Sequence, residues 1–450
     1  MRAYVALGSN LGEPAERLAA ALRALEETPG ITRLRASRSY RTSAVGGPGE
    51  QPEYLNAVAA LDTELSAEDL LVHLQAIEAR EGRDRSREER WGPRRLDLDL
   101  LLHGETRTES ADLVVPHPRM EERVFVLAPL AELAPDLVLP GCGLTVRERL
   151  ARLRGPLQRF DAVEPARAWC RAQRAAGKTL GFVPTMGALH DGHLGLVERA
   201  LRENDLACVS VFVNPLQFDE EGDFVHYPRD LDGDAAKLAA IGTSMVFTGT
   251  LGEFFPTELD ADGRLPAERH VPAGSWAESL EGEYRTGHFD GVATIVDRLF
   301  EVVEPTRGYF GQKDYQQARI VGDVAERRGG PEVVVCPTSR EPSGLARSSR
   351  NLRLDAEGLR TAEALSRGLF AAARRFHEGE RSVERLGEAL RAPLDVPGLV
   401  LDYAELRSAR AWSAVEPEGE LEAPVALVAA RVGEVRLIDC FVLSDPIPGA

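Results

Sequence analysis

Residues 179–193, TLGFVPTMGALHDGH, limit the possible folds more than any other stretch of the chain. Leu180, Phe182 and Val183 form a short apolar run without helical spacing, which suits a buried parallel strand. Pro184 has no N–H for a ladder and is expected to end that strand. Gly187 then permits a tight turn in which the backbone approaches a ligand closely. Beyond HDGH, Leu194, Val197, Ala200 and Leu201 recur on one helical face. Strand, glycine turn and helix in that order outline a nucleotide site, because a helix N-terminus offers unpaired N–H groups and a positive field. His190 and His193, three residues apart, share one face there. A buried histidine pair or a zinc site would use the same spacing, so the motif alone leaves three readings open.

A chain of 450 residues is too long for one ordinary core, and two or three domains are expected. The net charge of −18 weighs against nucleic acid or an anionic membrane as a partner. Five cysteines (142, 170, 208, 336 and 440) lie far apart without a CxxC pair, which fits a reducing cytosol rather than a disulfide framework. Met1-Arg2 leads straight into strand-like AYVAL, and no apolar run approaches the ~20 residues of a membrane span, so a cytoplasmic location is expected. Only three residues are lysines, 178, 237 and 313, which singles each of them out.

The first 150 residues alternate between the two element types. AYVAL reads as a strand, Glu16 to Glu26 as a helix, ASRSYRTSAV and YLNAVAALDTEL as strands. AEDLLVHLQAIEARE reads as a helix with Leu70, Leu71, Leu74 and Ile77 on its apolar face. No dinucleotide fingerprint accompanies them, which predicts an α+β sandwich. The chemistry gathers in RDRSREERWGPRRLDLDLLL, residues 83–102. Asp97 and Asp99 are two apart in an apolar strand and point to one face. Paired carboxylates there repel unless a counter-charge joins them, and Mg²⁺ bridging to phosphates is one such partner. An arginine-paired structural cluster is another. Arginines 83, 85, 87, 90, 94 and 95 supply the guanidinium density that suits a polyphosphate.

LGSNLG, SYRTSAV, QPEYLNAV, RWGPRRLDLDLLL and VPHPRMEERVFVLAPL, in that order, resemble 6-hydroxymethyl-7,8-dihydropterin pyrophosphokinase. The resemblance implies a ferredoxin-like α+β sandwich over residues 1–154. It implies Asp97 and Asp99 as Mg²⁺ ligands, and Arg83, Arg85, Arg94, His117 and Arg123 on ATP phosphates. Arg94 joins the two aspartates as catalytic. Tyr54, Asn56, Trp91 and Phe125 would form the pterin pocket, with Glu78 in the nucleotide region. Aromatic faces suit a flat heterocycle, and an amide can match its donor and acceptor edge.

Gly155-Pro156 punctuates the chain, and a strand at Leu157 to Phe160 and a helix at Pro165 to Ala176 follow. LACVSVFVNPLQF reads as a second buried strand, with Gln217 at its carboxyl end, where open α/β sheets place ligands. Asp219 to Asp223 reads as an acidic loop. LEGEYRTGHFDGV reads as a glycine-rich loop entering an amphipathic helix. Lys313 sits on a glycine-led turn in GYFGQKDYQQ, as a point charge on a phosphate would. GLARSSRN offers a second anion-binding loop.

PTMGALHDGH, with VFVNPLQF, EGEYRTGHFDGVAT, YFGQKDYQQ, REPSGLARSSRN and RLID in order, resembles pantothenate synthetase of the HIGH-type nucleotidyl-transferase superfamily. That resemblance implies a Rossmann-like α/β domain at 157–344, a smaller α+β lid at 345–450 and a homodimer. By the same resemblance Met186, Gly187, Ala188, Leu189, His190, Asp191, Gly192 and His193 bind ATP. So do Gly311, Gln312, Lys313 and Asp314, with Ser339, Arg347, Ser348, Ser349 and Arg350. Gln217 and Gln317 would hold pantoate, His193 would donate a proton, and His190 and Lys313 would act on the phosphates. Thr286, Ser339, Arg347 and Cys440 depart from the usual proline, apolar residue, methionine or leucine, and asparagine.

Together these features predict a bifunctional enzyme with pterin, pantoate, β-alanine and ATP as small-molecule substrates. The N-terminal half would pass pyrophosphate from ATP to a pterin hydroxymethyl group. The C-terminal half would adenylate pantoate and let β-alanine attack the acyl-adenylate. A tRNA-binding synthetase relative is the rival reading of HxxH alone. A fusion whose N-terminal half serves only as a regulatory or interaction module is the other.

Overall fold

The computed structural model describes residues 1–44, 51–83, 92–218 and 221–448. The chain divides into two compact units, residues 1–158 with 173–179 and 201–206, and the remainder.

In the first unit β1 (Arg2–Ser9) runs antiparallel to both of its neighbours, β4 (Tyr54–Thr63) and β5 (Asp97–His103). Two outer strands, β2 (Ile31–Ala36) and β3 (Tyr40–Thr42), pair with β4. Period-2 alternation sorts the side chains into two cores. Val5, Leu7, Ala59, Leu61 and Leu98 pack under helices Pro14–Glu26 and Ala67–Arg80. Tyr4, Val58, Ala60 and Leu101 pack under helices Val124–Leu133 and Val146–Arg154. The sheet is thus covered on both faces. A small ribbon of β6 (Thr108–Glu109) and β7 (Val114–Val115) lies outside it. The single strand expected over ASRSYRTSAV is broken. The chain leaves the ladder after Ala36, Ser37 exchanges hydrogen bonds with Val58, and Arg38 pairs with Glu132 at 2.9 Å before β3 begins.

The second unit is built on a six-stranded sheet of β8 (Gln158–Phe160), β9 (Leu180–Thr185), β10 (Leu206–Val211), β11 (Met245–Phe247), β12 (Arg307–Gly311) and β13 (Glu332–Cys336). Their spatial order is 13-12-9-10-11-8, and β12 runs parallel to both β9 and β13, as β10 does to β11. Phe182, Val183, Val209, Val246 and Tyr309 are fully buried, which explains why these strands read as unbroken apolar runs. After β9 the order proceeds to one side through β10 and returns on the other through β12. The crevice at the carboxyl ends of β9 and β12 is therefore the topological switch point.

Strand β9 runs through Pro184 to Thr185, contrary to the expectation that proline ends it. The missing donor does not prevent the Thr185 carbonyl from accepting the Phe212 N–H at 3.0 Å. Glu221–His226 is a short helix where a loop was expected, while Asp219 and Glu220 lie outside the described residues. Glu281–Tyr284 is likewise a helical turn. The C-terminal part folds around its own core, including Leu365, Leu369, Leu386, Leu406 and Val428. That core lies between helices Ala356–His377 and Val383–Arg391 and the antiparallel β14 (Leu399–Ser408), β15 (Pro424–Val432) and β16 (Val435–Val442). Among the described residues no helix is long and apolar enough to cross a membrane.

Candidate active sites

At the end of β9 the chain turns sharply, and hydrogen bonds fix the turn. The Thr185 hydroxyl donates to the Ser210 carbonyl at 2.7 Å and accepts from the Gly187 N–H at 3.2 Å. Gly187 has φ +89°, and a Cβ there would come within 3.0 Å of Val211. Ala188 follows at φ +52°. Two residues not anticipated from the sequence clamp this strained loop. A carboxylate oxygen of buried Asp234 accepts the Leu189 N–H at 2.8 Å, and Lys237 Nζ donates to the Leu189 carbonyl at 2.7 Å. Only the scarcity of lysine pointed to Lys237.

The two histidines follow at the start of helix Asp191–Glu203, with ring centroids 4.1 Å apart. His190 Nδ1 accepts the Gly192 N–H at 3.1 Å, and His193 Nδ1 accepts the His190 N–H at 3.4 Å. A ring nitrogen that accepts carries no hydrogen, so in each neutral imidazole the hydrogen sits on Nε2. Burial, then the neighbouring His190, drives the His193 pKa down to about 3. Burial, then Lys313, lowers that of His190. Both rings are therefore neutral N–H donors at neutral pH.

After β12, Lys313 Nζ pairs with Asp314 at 2.9 Å. Burial opposes the ionisation of Asp314, but Lys313 and then Arg350 together keep its pKa below the usual carboxylate value. Met186, both histidines, Lys313, Asp314 and the Ser348–Arg350 loop line one cavity of about 270 Å³. Gln217 and Gln317 line the same cavity, and Asn214 Nδ2 donates to Gln217 Oε1 at 3.0 Å.

Other expected residues are placed around this cavity rather than in its lining: Gly187 to Leu189, Asp191, Gly192, Gly311, Gln312, Ser339 and Arg347. Arg347 forms an ion pair with Asp191, and its N–H bonds the Ser339 carbonyl at 2.9 Å. Cys440 lines the cavity with its thiol donating to the Gln312 carbonyl at 2.9 Å.

In the first unit Gly8 on β1 lies between Asn56 on β4 and Asp97 on β5, and Ala6 lies beside Asp99. These small residues form a low floor, since a Cβ on Gly8 would sit 3.3 Å from Asn56 Oδ1. Over this floor is a cavity of about 90 Å³ with Tyr54, Asn56, Arg94, Asp97, Asp99, Arg123 and Phe125 in its wall. The Tyr54 hydroxyl donates to the Gly92 carbonyl at 2.9 Å, and Asn56 Nδ2 to Thr42 Oγ1 at 3.0 Å. Thr42, which pairs across the strands with Tyr54, was not singled out, although it lies within the SYRTSAV motif.

Arg94 holds Asp97 at 2.6 Å and Arg83 holds it at 2.5 Å. Burial opposes the Asp97 charge, but the two guanidinium groups prevail and lower its pKa. Asp99 is pushed up to about 6 by burial and then by the Asp97 charge. His117 Nε2 lies 3.8 Å from Asp99, but burial and then Arg123 lower its pKa to about 4, so at neutral pH it is uncharged. Arg83 and Glu78 do not reach the cavity wall. Glu78 is 1% exposed and takes Arg83 at 2.5 Å and the Leu98 N–H at 2.8 Å, which makes it a support for Asp97. Trp91, Arg85, Arg87 and Arg90 lie outside the described residues.

Neutral N–H donors, a lysine and a serine-arginine loop meeting at the switch point of a parallel sheet are what a polyphosphate needs. The C-terminal unit is thus of the nucleotide-using α/β type. The family model for pantoate-beta-alanine ligase matches residues 158–442, and the chain belongs to that family. The model for 7,8-dihydro-6-hydroxymethylpterin-pyrophosphokinase matches residues 4–135, so two enzyme families are joined in one chain. The chain is 47% identical over 271 residues to a pantothenate synthetase of Gluconobacter oxydans, covering 60% of this chain and 95% of that one. Among solved structures it is similar to the pantothenate synthetase of Thermus thermophilus, with a TM-score of 0.58 and 39% identity over 64% of this chain and all of that one. It is also similar to the pantoate-beta-alanine ligase of Francisella tularensis complexed with beta-gamma ATP and beta-alanine, with a TM-score of 0.50 and 30% identity over 64% of this chain and 99% of that one.

Proposed function

We propose that the 270 Å³ cavity is where pantoate is adenylated and then joined to β-alanine, and that the 90 Å³ cavity is where the pterin receives pyrophosphate. The chain is a bifunctional enzyme that uses ATP in both reactions. The observation that carries the ligase reading is the pair of neutral Nε2–H histidines sharing a wall with Lys313, Ser348–Arg350 and Gln217.

Attack of the pantoate carboxylate on the α-phosphorus of ATP builds negative charge on phosphate oxygens and on departing pyrophosphate. His190 and His193 donate Nε2–H bonds to that charge, Lys313 and Arg350 oppose it, and Gln217 and Gln317 orient pantoate. Release of pyrophosphate leaves pantoyl adenylate. The β-alanine amine then attacks the acyl carbon, and AMP departs.

In the first unit Phe125, Tyr54 and Asn56 would take the pterin ring and its polar edge. Arg94 and Arg123 would face phosphates. The residues fit Mg²⁺: Asp97 and Asp99 point to one face, and the raised pKa of Asp99 marks a carboxylate that a cation would relieve. Bound there with phosphate oxygens, Mg²⁺ would withdraw charge from the transferred group. Asp97 and Asp99 would hold it, Arg94 would keep Asp97 aimed, and His117 would remain neutral beside them.

The finer architecture belongs to the same reading: a ferredoxin-like sandwich at 1–154, a Rossmann-like HIGH-type domain at 157–344 and a lid at 345–450. So does a homodimer through the second unit, which sedimentation of the full chain at micromolar concentration tests. Product analysis on the full chain tests the functional reading. Pantothenate should form only with pantoate, β-alanine and ATP together, and the pterin diphosphate only with pterin and ATP.

A further inference from the structure

Glu281, Arg285 and His288 wall part of the larger cavity, and polar contacts fasten the start of their segment to the C-terminal strands. Glu281 lines the cavity at 6% exposure. Arg436 on β16 grips it with both arms, Nη1 to Oε2 at 2.8 Å and Nη2 to Oε1 at 2.6 Å. The Tyr403 hydroxyl donates to Oε1 at 2.9 Å. Arg436 Nε donates to Asp402 at 2.6 Å, and the Tyr284 hydroxyl to the Asp402 carbonyl at 2.8 Å. Such a two-armed guanidinium–carboxylate contact fixes orientation as well as distance.

The same segment then reaches Gln217. His288 Nδ1 lies 2.8 Å and Arg285 Nη2 3.2 Å from the Gln217 backbone carbonyl. A carbonyl only accepts, so the His288 hydrogen is on Nδ1, and its Nε2 accepts from Arg285 Nη1 at 3.2 Å. Continuous contacts therefore run from Arg436 through Glu281 and its helical turn to the residue placed at the carboxylate substrate. Arg436 itself is absent from the cavity lining.

We propose that Arg436 is a positioning residue for pantoate: it holds Glu281 in place and, through residues 281–288, sets Gln217. The inference rests on the assignment of Gln217 to pantoate. The guanidinium has a second effect, because it neutralises a carboxylate that would otherwise face an anionic substrate. Removing one partner of a buried pair leaves the other charge uncompensated, so the effect is concentrated at Glu281 and its neighbours.

The test is steady-state kinetics of Arg436→Met, Arg436→Lys and Gln217→Ala in the full chain, with the urea midpoint of tryptophan fluorescence as the check that each variant is folded. Arg436→Met should raise the KM for pantoate on the order of tenfold, and leave kcat and the KM for ATP within about threefold. Arg436→Lys, which keeps the charge but not the fork, should recover part of that loss. A pantoate KM within about twofold of the parent, or equal changes in all three constants, would overturn the proposal. If Arg436→Met yields no folded chain, Glu281→Gln decides. It should raise the pantoate KM alone by about threefold, and no change would overturn the proposal. A rise with Arg436→Met but none with Gln217→Ala would remove Gln217 from the pantoate site and refute the relay to it.

Discussion

On the proposed reading, two neutral imidazoles at the start of helix Asp191–Glu203 and Lys313 after β12 serve the charge that appears on phosphate, not attack by an amine. His193→Ala and Lys313→Ala should therefore slow pantoate-dependent pyrophosphate release by about a hundred- to thousandfold, the usual cost of one preorganised donor. Both should convert supplied pantoyl adenylate and β-alanine at a rate much nearer normal, because that step needs alignment more than charge stabilisation. Equal loss in both half-reactions, measured by quenched flow, would count against the assignment. The depressed pKa of His193, about 3 against an ordinary 6.5, also has a sign for stability. Above about pH 6.5 neither folded nor unfolded chain is charged at this residue. As pH falls from 6.5 toward 3 the unfolded chain takes up a proton that the folded chain refuses, so stability is lost. His193→Gln should lose less than the parent between about pH 7 and 5, read as the urea midpoint of tryptophan fluorescence; matching losses would refute this. Burial, and then Asp439, push the Cys440 thiol up, and Cys142 alone among the five cysteines is exposed. Brief alkylation at about pH 8 followed by mass spectrometry should label Cys142 and spare Cys440.

At the scale of elements, the helix His288–Val303 and the turn Pro215–Gln217 meet so closely that one glycine decides the spacing. A Cβ on Gly291 would collide with the Leu216 carbonyl. Helix propensity alone would make Gly291→Ala stabilising by about 1 kcal/mol. The backbone collision outweighs that, so the variant should push the Gln217 turn away and raise the pantoate KM; a more stable enzyme with unchanged KM would contradict the packing. Here the limits of sequence reading are physical. Alternation in RLDLDLLL places Asp97 and Asp99 on one face, and apolar runs locate the parallel strands, because both signals are local. The inward turn of Arg83 toward Glu78 and Asp97, the clamp of Asp234 and Lys237 on the Leu189 loop, and the grip of Arg436 on Glu281 are different. The contacts Arg83–Asp97, Leu189–Asp234 and Arg436–Glu281 join residues 14, 45 and 155 positions apart. No spacing rule reports such contacts. The break between β2 and β3 leaves no mark in the sequence because an exposed edge carries no apolar pattern, Arg33, Arg35 and Arg38 all facing solvent.

For the whole molecule, the net charge of −18 makes non-specific binding to nucleic acid unfavourable, and retention on a nucleic-acid filter at low salt is not expected. The central claim is that one chain carries two separate chemistries, each with its own carboxylates, cations and substrate pocket. Reciprocal inactivation tests it most directly. Asp97→Ala and His193→Ala are made singly in the full chain, and both products are assayed on the same preparation with pterin, pantoate, β-alanine, ATP and Mg²⁺ all present. Asp97→Ala should abolish pterin diphosphate formation with pantothenate synthesis at the parent rate, and His193→Ala should do the reverse. Loss of both products in either folded variant, or of neither in Asp97→Ala, would contradict the two-site account.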